Sequence, residues 1–239
     1  MSFLTLIRHG QASFFASDYD RLSSVGEQQA QLLGNHWAKQ GLVIDEVYAG
    51  PRARQQKSAE LAGIGYQQSG LIWPKPIILD DLDEYDLDGL TNHLAPRLAE
   101  RHSEFARLVE GYRQSESELD RLRSFQRMFE TLLRHWQTVD TPGSAFESWS
   151  DFRQRVHRVM RRIQDHPGRS RRVVLFTSGG FIGTAVQQIL GASDPTALEL
   201  NWRVRNSSLT EFVFTQDRFT LDNFNTIPHL ADPAMWTYR

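Results

Sequence analysis

The fold of this chain is restricted above all by one continuous apolar run, Arg172–Thr177. An apolar run of this length without polar alternation is typical of a strand buried on both faces of a parallel sheet. The run ends at Ser178–Gly180, and a helical pattern continues from there to Leu190. A strand that leads directly into a helix is the repeating unit of α/β proteins, so the sequence predicts an α/β fold.

Shorter segments of the same two kinds occupy most of the remaining chain. Apolar, β-rich runs predict strands, and apolar residues at helical spacing predict amphipathic helices. The predicted strands are Phe3–Ile7, Ile44–Tyr48 and Pro76–Leu79, with a β-hairpin formed by Ser208–Phe214 and Arg218–Asn223. The predicted helices include one opened by a capping box at Ser24–Glu27 and running to about Gln40, one from Pro51 to near Gly63, and one with an apolar stripe from Trp149 to Ile163. Together they predict a three-layer α/β sandwich with a mostly parallel central sheet flanked by helices.

A wholly helical segment interrupts this alternation between residues 91 and 140. Its apolar residues repeat at helical spacing, at Leu119, Leu122, Phe125, Phe129, Leu132 and Trp136. A turn at Thr141–Gly143 closes the segment. We therefore predict one domain over residues 1–239, with a helical cap inserted at about residues 91–140.

Composition and charge exclude several classes of function. The 239 residues include no cysteine, which excludes disulfides, thiolate metal sites and cysteine nucleophiles. The formal net charge is -2, so no global basic field attracts nucleic acid, and no nucleic-acid partner is predicted. The sequence shows neither a signal peptide nor an apolar run of membrane-spanning length, so we expect a cytoplasmic protein that binds no membrane. The arginine clusters Arg161–Arg162 and Arg169–Arg172 are interpreted as solvated surface.

Four segments place polar residues at the ends of predicted strands or on the helices that follow them. These segments are Arg8-His9-Gly10, Pro51-Arg52-Ala53-Arg54, Leu82-Asp83-Glu84 and Thr177–Gly180. Open α/β sheets bind their ligands at the carboxyl ends of the strands, so these side chains are the candidate functional residues.

The four segments resemble signatures of the histidine phosphatase superfamily, also called the phosphoglycerate-mutase-like family. The Arg-His-Gly tripeptide alone has little specificity, but the segments occur in the family's order and cover nearly the whole chain outside the helical insertion. The matching residues are Leu6–Ala12, Leu22, Ser23, Gly26, Gln29 and Ala30, Pro51–Ala59, Leu82–Glu84 with Gly89, and Asn225, His229 and Leu230.

The resemblance implies a pocket for a phosphoryl group. In that pocket His9 is the nucleophile that forms a phosphohistidine, and Glu84 protonates the leaving group and later activates water. Arg8 and Arg54 bind the dianion through bidentate, charge-assisted hydrogen bonds, which suit the planar guanidinium group. The carboxylates that surround Glu84 in the sequence are expected to favour its protonated form.

The fourth segment contributes further phosphate ligands and departs from the family's pattern. The resemblance implies ligands at Ser178, Gly179 and Gln11, and a glycine lets backbone N–H groups at a helix N-terminus approach an anion closely. The family carries a second histidine where this chain has Ser178. Loss of one charged donor from a transition state costs about 10²–10³ in rate, although the hydroxyl still donates one neutral hydrogen bond. Recruitment of His157 or His229 in its place stays open.

Two of these assignments have rivals in the sequence. Arg52 lies two residues before Arg54, and four aspartates surround Glu84. The family's spacing favours Arg54 and Glu84 over these rivals. The aspartates lack the spacing of a calcium loop and its closing glutamate, so neither a metal nor another cofactor is predicted. They are Asp81, Asp83, Asp86 and Asp88.

Two functions from different classes fit these residues. The first is a metal-independent phosphomonoesterase that hydrolyses a phosphorylated small molecule or a phosphopeptide. The second is a phosphate- or phosphoprotein-binding module with little or no turnover, because Ser178 replaces the histidine. A mutase is a third and weaker alternative. If the missing imidazole is the only defect, the Ser178→His variant is expected to gain activity.

Two further features bear on specificity and assembly. The apolar residues Phe14 and Phe15 follow Gly10, and they either contact an organic part of the substrate or pack under the cap. The helices of the cap offer a surface on which a homodimer is able to form.

Overall fold

The computed structural model describes residues 1–13, 20–139, 145–166, 168 and 170–238. Three predictions lie outside these residues: the turn at Thr141–Gly143, the contacts of Phe14 and Phe15, and the surface position of Arg169. Within the described ranges, no helix combines the length and the apolar character needed to cross a membrane. The chain divides into two compact units, one formed by Met1–Glu84 with Arg155–Arg239 and the other by Tyr85–Gln154.

The first unit contains a six-stranded sheet. Its strands are β1 (Ser2–Arg8), β2 (Glu46–Ala49), β3 (Ile77–Ile78), β4 (Arg172–Thr177), β5 (Leu209–Phe214) and β6 (Phe219–Thr226). Their order across the sheet is β3-β2-β4-β1-β5-β6. The strands from β3 to β1 run parallel, whereas β5 and β6 pair antiparallel. The predicted α/β class and the mostly parallel sheet are confirmed.

Helices follow most of the strands. They are α1 (Ser24–Lys39), α2 (Ala53–Gln67), α3 (Leu87–Gly89), α4 (Ala95–Arg101), α5 (Ser103–Arg113), α6 (Glu118–Trp136), α7 (Trp149–Asp165), α8 (Gly179–Leu190) and α9 (Asp194–Asn201). Short 3₁₀ turns form at Asp80–Leu82 and Pro233–Met235, and a π-helical turn forms at Leu90–Leu94.

Two helix ends differ from the predictions. Ser23 rather than Ser24 is the N-cap of α1, because its side chain accepts a hydrogen bond from the Gly26 N–H. Helix α2 continues beyond its predicted end near Gly63 to Gln67. A Cβ atom at Gly63 would lie 2.6 Å from the ring of Trp73. This glycine therefore serves packing and does not end the helix.

Both faces of the central strands are covered, which explains why the interior of β4, Val173–Phe176, is entirely apolar. One face packs against α1 and α2, in a cluster that includes Ile7, Leu33, Trp37, Tyr66, Val174 and Phe176. Leu6 and Leu175 are also fully buried, and the alternation of side chains along a strand places them on the opposite face. Helices thus flank the sheet on both sides, as the three-layer prediction requires.

One arginine that the sequence assigns to solvated surface is buried instead. The guanidinium group of Arg171 makes a salt bridge with Glu46 at 2.6 Å and donates to the carbonyl oxygens of Ile163 and His166. These partners compensate the hydration that the buried charge loses. A cluster of charged residues in the sequence does not show which of them has such buried partners in the fold.

The second unit is helical and has an aromatic core of its own. The ring of Trp136 is fully buried, lies 5.2 Å from the Trp149 ring between centroids, and donates from Nε1 to the Glu147 carbonyl oxygen at 2.9 Å. The C-terminal part of the stripe predicted along α6 is buried, whereas Leu119 at its start is exposed. This unit is stabilised mainly by packed aromatic rings.

The register of the parallel strands places the predicted site segments side by side. Arg8 at the end of β1 pairs with Thr177 of β4, and Ala49 of β2 pairs with Phe176. The three strands therefore end at the same edge of the sheet, where His9, α2 and α8 follow them. Ligands of α/β sheets bind at this edge.

Candidate active site

His9 lies just beyond β1, and its hydrogen bonds fix its tautomer. Nδ1 lies 2.7 Å from the Gly10 carbonyl oxygen, and Nε2 lies 3.2 Å from Nε of Arg54. An arginine nitrogen can only donate, so Nε2 is the unprotonated nitrogen and Nδ1–H donates to Gly10. The imidazole is nearly enclosed, since His9 is only 4 % exposed.

Burial lowers the pKa of His9 well below its usual value of 6.5. The charges of Arg54 and Arg8 lower this pKa further, and together these effects outweigh the hydrogen bond to Gly10, which raises it. The imidazole is therefore neutral at pH 7, and the lone pair on Nε2 accepts the Arg54 Nε–H.

The loop that carries His9 is held between α1 and α2. The Gly10 N–H donates to Ser58 Oγ at 3.0 Å, and the Ser58 hydroxyl donates to the Arg54 carbonyl oxygen at 2.7 Å. A Cβ atom at Gly10 would lie 2.3 Å from the Gly26 carbonyl oxygen, so only glycine fits. Ser58 is a supporting residue that the sequence analysis does not single out, although it lies one helical turn after Arg54.

Arg54 points into the site and holds a carboxylate there. Its Nη1 makes a 2.7 Å salt bridge with Oδ1 of Asp20, whose Oδ2 accepts the Ala53 backbone N–H at 2.8 Å. The Arg54 side chain is buried, whereas the Asp20 side chain is 36 % exposed. Asp20 thus accepts hydrogen bonds from a guanidinium group and from an N–H at a helix N-terminus. Both kinds of donor bind phosphate in proteins. The rival Arg52 pairs instead with Asp83 at 2.7 Å.

Arg8 lies beside the start of α8. Its Nη1 donates to the backbone carbonyl oxygens of Val204 and Tyr238. A Cβ atom at Gly179 would lie in ordinary contact with Nε of Arg8, at 3.7 Å, but only 2.6 Å from Oδ1 of Asn201, so the glycine makes room for Asn201. The two predicted arginines therefore approach His9 from different elements, Arg8 from β1 and Arg54 from α2.

Glu84 is the acidic residue whose carboxylate reaches the N-terminus of α8. Its Oε2 accepts the Gly180 backbone N–H at 3.0 Å. Arg155 fixes the backbone on both sides of this residue, because its guanidinium donates to the carbonyl oxygens of Asp83 and Glu84 at 2.7 and 3.2 Å. Asp81 is directed elsewhere, to a 3.4 Å ion pair with Arg158.

Ser178 is the N-cap position of α8 and is 1 % exposed. Its Oγ accepts a hydrogen bond from Nε2 of Gln55 at 2.9 Å. Gln55 is fully buried. The sequence analysis includes it only as part of the segment Pro51–Ala59, and its position directly after Arg54 is the one signal that points to it.

Gln11 supports the site from the α1 side. Its backbone N–H donates to Oε1 of Gln29 at 2.9 Å, and its side-chain oxygen accepts from the Ser23 hydroxyl at 2.8 Å. Gln11 therefore links the His9 loop to the first turn of α1. Its role as a phosphate ligand stays a prediction.

Neither alternative histidine takes the place of the missing imidazole. His157 is exposed on α7. Nε2 of His229 lies 2.9 Å from Oγ of Ser207, and burial lowers the pKa of His229 to about 3. The Ser207 N–H, at a left-handed backbone position with φ of 60°, donates to the carbonyl oxygens of Arg8 and His9. His229 thus supports the backbone of the His9 loop.

Comparison with known proteins identifies the family. The model of the histidine phosphatase superfamily (branch 1) matches residues 4–126 and 110–227. The chain belongs to the histidine phosphatase superfamily. No curated protein sequence matches it significantly.

Solved structures share this superfamily's fold at low sequence identity. Phosphoserine phosphatase from Entamoeba histolytica, in complex with 3-phosphoglyceric acid, is 16% identical with a TM-score of 0.61, over 96% of this chain and 100% of that chain. Mycobacterial glucosyl-3-phosphoglycerate phosphatase, in complex with inorganic phosphate, is 18% identical with a TM-score of 0.61, over 97% and 100%. A mycobacterial hydrolase is 20% identical with a TM-score of 0.61, over 95% and 99%.

The superfamily's segments converge in this chain without an evident metal site. Across the part of the chain that the structure describes, no group of three His, Asp or Glu side chains is arranged to hold a metal ion. The donors around His9 are instead two guanidinium groups and the N-terminal N–H groups of α2 and α8. This set of donors suits an anion.

Proposed function

We propose that this histidine phosphatase superfamily member is a metal-independent phosphomonoesterase that acts through a phosphohistidine at His9. The observation that carries the proposal is the tautomer of His9, in which Nδ1–H is bound to Gly10 and Nε2 is the unprotonated nitrogen beside Arg54. The lowered pKa of His9 keeps this nitrogen unprotonated. A neutral imidazole attacks phosphorus without first losing a proton.

The reaction proceeds in two displacements. In the first, the hydrogen bond from Arg54 Nε to His9 Nε2 breaks, and Arg54 turns to the phosphoryl oxygens. Nε2 then bonds to phosphorus while the bond to the leaving oxygen breaks, and Glu84 gives that oxygen its proton. In the second, Glu84 takes a proton from water, whose oxygen bonds to phosphorus as the bond to Nε2 breaks. Inorganic phosphate is released, and His9 returns to its neutral form.

The phosphoryl group takes over donors that carboxylates of the protein hold in this structure. It replaces Asp20 at Arg54 and displaces Glu84 from the Gly180 N–H, which releases the Glu84 carboxyl group for proton transfer. The remaining proposed ligands are Arg8, Gln11, Ser178 and Gly179. Charge on the transferring oxygens is thereby met by groups already in place.

The substrate class is proposed to be a phosphorylated small molecule or a phosphopeptide. Two structural neighbours are phosphatases named for small phosphorylated molecules, phosphoserine and glucosyl-3-phosphoglycerate. The helical unit Tyr85–Gln154 is proposed to be the cap predicted at residues 91–140. The cytoplasmic location and the homodimer stay predictions. A panel of sugar phosphates, nucleotides and phosphopeptides identifies the substrate.

The test of the proposed function is steady-state hydrolysis of an aryl phosphate, measured with and without a chelator. We expect the chelator to have no effect and His9→Ala to lower kcat/KM by roughly 10³-fold or more. Because the pKa of His9 lies below 6.5, its protonation is expected to reduce kcat/KM only below that pH. Activity that survives His9→Ala refutes the proposed nucleophile.

One observation favours a second candidate, a phosphate-binding module without useful turnover. Ser178 is neutral and buried at the position where the superfamily carries a second histidine. Under this alternative, isothermal titration detects binding of inorganic phosphate, and no member of the substrate panel is hydrolysed.

A further inference from the structure

Gln55 is held in one orientation by three hydrogen bonds. Its Oε1 accepts the Arg52 backbone N–H at 3.1 Å, and its Nε2 donates to the Leu82 carbonyl oxygen at 3.3 Å and to Ser178 Oγ at 2.9 Å. A backbone N–H must meet the amide oxygen, and a carbonyl oxygen must meet the amide nitrogen. The two backbone partners therefore determine that Gln55 presents a donor to Ser178.

This donor decides what the Ser178 hydroxyl can do. A hydroxyl that accepts at its oxygen turns its own hydrogen toward another partner. Among the residues that the structure describes, the Ser178 hydroxyl accepts from Gln55 and donates no hydrogen bond. The Ser178 hydroxyl is therefore left as a buried donor.

The surroundings of Ser178 show where this donor lies. The carbonyl oxygen of Thr177 accepts the His9 backbone N–H at 2.9 Å, and Gly180 bonds to Glu84. Ser178 sits between these two contacts in the chain. The backbone of Ser178 therefore lies between a contact of the His9 loop and the N–H group that Glu84 accepts, and its hydroxyl contacts Gln55, the residue after Arg54.

We propose that Gln55 is a positioning residue that fixes the Ser178 hydroxyl as a hydrogen-bond donor to the bound phosphoryl group. The pair offers one oriented, neutral donor where the superfamily carries an imidazole. The inference rests on the proposed function to the extent that it requires a phosphoryl group in the His9 pocket. A glutamate at position 55 would accept from the hydroxyl and reverse its direction.

A double-mutant cycle on the full chain tests the proposal. The dissociation constant for inorganic phosphate is measured by isothermal titration for the wild type, Ser178→Ala, Gln55→Glu and the double variant. Ser178→Ala is expected to weaken binding roughly tenfold, as loss of one hydrogen bond to a charged group does. Gln55→Glu is expected to weaken binding roughly tenfold more in the wild type than in the Ser178→Ala background, because only the wild type has a hydroxyl to reverse.

Two controls separate positioning from charge and from folding. Gln55→Met removes the donor without adding a charge, and it replaces Gln55→Glu in the cycle if the latter does not fold. We expect Gln55→Met to weaken phosphate binding in the wild type and to leave it unchanged in the Ser178→Ala background. A merely structural role of Gln55 changes the affinity equally in both backgrounds, and that additive result overturns the inference.

The outcome is separable from that of the proposed function. A wild type that binds phosphate and shows the coupling, yet hydrolyses no substrate, supports this inference and contradicts the phosphatase. Hydrolysis that depends on His9, together with additive effects in the cycle, contradicts this inference alone. A wild type that does not bind inorganic phosphate overturns both.

Discussion

Two strand-to-helix junctions lie at the edge of the sheet that carries His9, and they offer different kinds of donor to a negatively charged group. At the β2–α2 junction the buried Arg54 guanidinium is neutralised by Asp20, a side chain that is partly exposed to solvent. At the β4–α8 junction the residues of the junction itself offer neutral donors, the Gly180 N–H, which bonds to Glu84, and the Ser178 hydroxyl, which contacts Gln55. The guanidinium beside them belongs to Arg8 of β1. The β2–α2 junction thus supplies a positive charge of its own, and the β4–α8 junction supplies oriented dipoles.

The difference explains how a pocket without a second imidazole still suits a dianion. An imidazolium in place of the enclosed Ser178 hydroxyl would add the desolvation cost of another buried cation. The Arg54 cation is compensated by Asp20, a displaceable carboxylate, and Arg8 donates to two backbone carbonyl oxygens before an anion arrives. The neutral dipoles of the β4–α8 junction need no counter-ion.

The largest expected effect comes from replacing Arg54. It tests whether Arg54, rather than Arg52, supplies the positive charge that α2 contributes to the reaction. Arg54→Ala is expected to lower kcat/KM for an aryl phosphate by about 10²–10³-fold, because it removes a charged donor from the transition state. The matched control is Arg52→Ala, which removes an arginine that pairs with Asp83 and is expected to change kcat/KM only a few-fold. Equal losses for the two variants would show that both arginines, or neither, serve the reaction.

The next effect tests the acid on the α8 side. Glu84→Gln is expected to lower kcat about 10²-fold for an alkyl phosphate, whose leaving group needs a proton, and much less for an aryl phosphate with an acidic leaving group. Asp81→Asn is the control, because Asp81 forms an exposed ion pair with Arg158. If the loss is the same for both leaving groups, Glu84 is not the proton donor.

The third prediction concerns an ionisable side chain introduced at position 178, at the N-terminus of α8. The sequence predicts that Ser178→His gains activity if the missing imidazole is the only defect. The enclosed serine contacts Gln55 at 2.9 Å, however, and leaves little room for an imidazole. Overpacking of this kind costs about 1–3 kcal/mol, so the variant is expected to melt at a lower temperature and to gain no activity. Adding Gln55→Ala opens space and is expected to raise kcat/KM roughly tenfold over the single variant. A gain in the single variant would refute the steric argument.

The smallest expected effect concerns the displaceable carboxylate. Asp20→Asn weakens the competitor for Arg54 and is expected to tighten inorganic phosphate binding about two- to fivefold, since a partly exposed ion pair is worth little. Isothermal titration measures the change. Asp45→Asn serves as the control, because Asp45 precedes β2 and accepts the Arg172 N–H at the start of β4, at the edge of the sheet opposite the site. Weaker binding by Asp20→Asn would show that Asp20 helps the anion to bind.

Much of the fold could be predicted because its signals are local. The bounds of β4 agree with the predicted segment Arg172–Thr177, which has no polar residue between its first and last positions. The capping serine of α1 was harder to place, because Ser23 and Ser24 are adjacent and only the hydrogen bond to Gly26 distinguishes them. Buried Arg171 was missed, because its partner Glu46 lies far away in the sequence.

The residues of the site also divide into those that local sequence patterns predict and those that they do not. Residues at strand ends, such as His9, are visible because strand and break are local patterns, and their grouping follows from the parallel register. Asp20, Gln55 and Ser207 act through tertiary contacts with residues that are distant in sequence. Hydrophobic periodicity contains no information about such polar partners, so the sequence predicts the groups that react better than the groups that orient them.

The contact between the His9 loop and α1 has a consequence for how this protein tolerates mutation. A Cβ atom at Gly10 would meet the Gly26 backbone, and one at Gly26 would lie 2.1 Å from the Gln11 carbonyl oxygen. The space at each glycine is therefore limited by the backbone of the other segment, and no change of side chain can enlarge it. A random library selected for turnover should return glycine at both positions. A substitution at one glycine should not be rescued by a second substitution at the other.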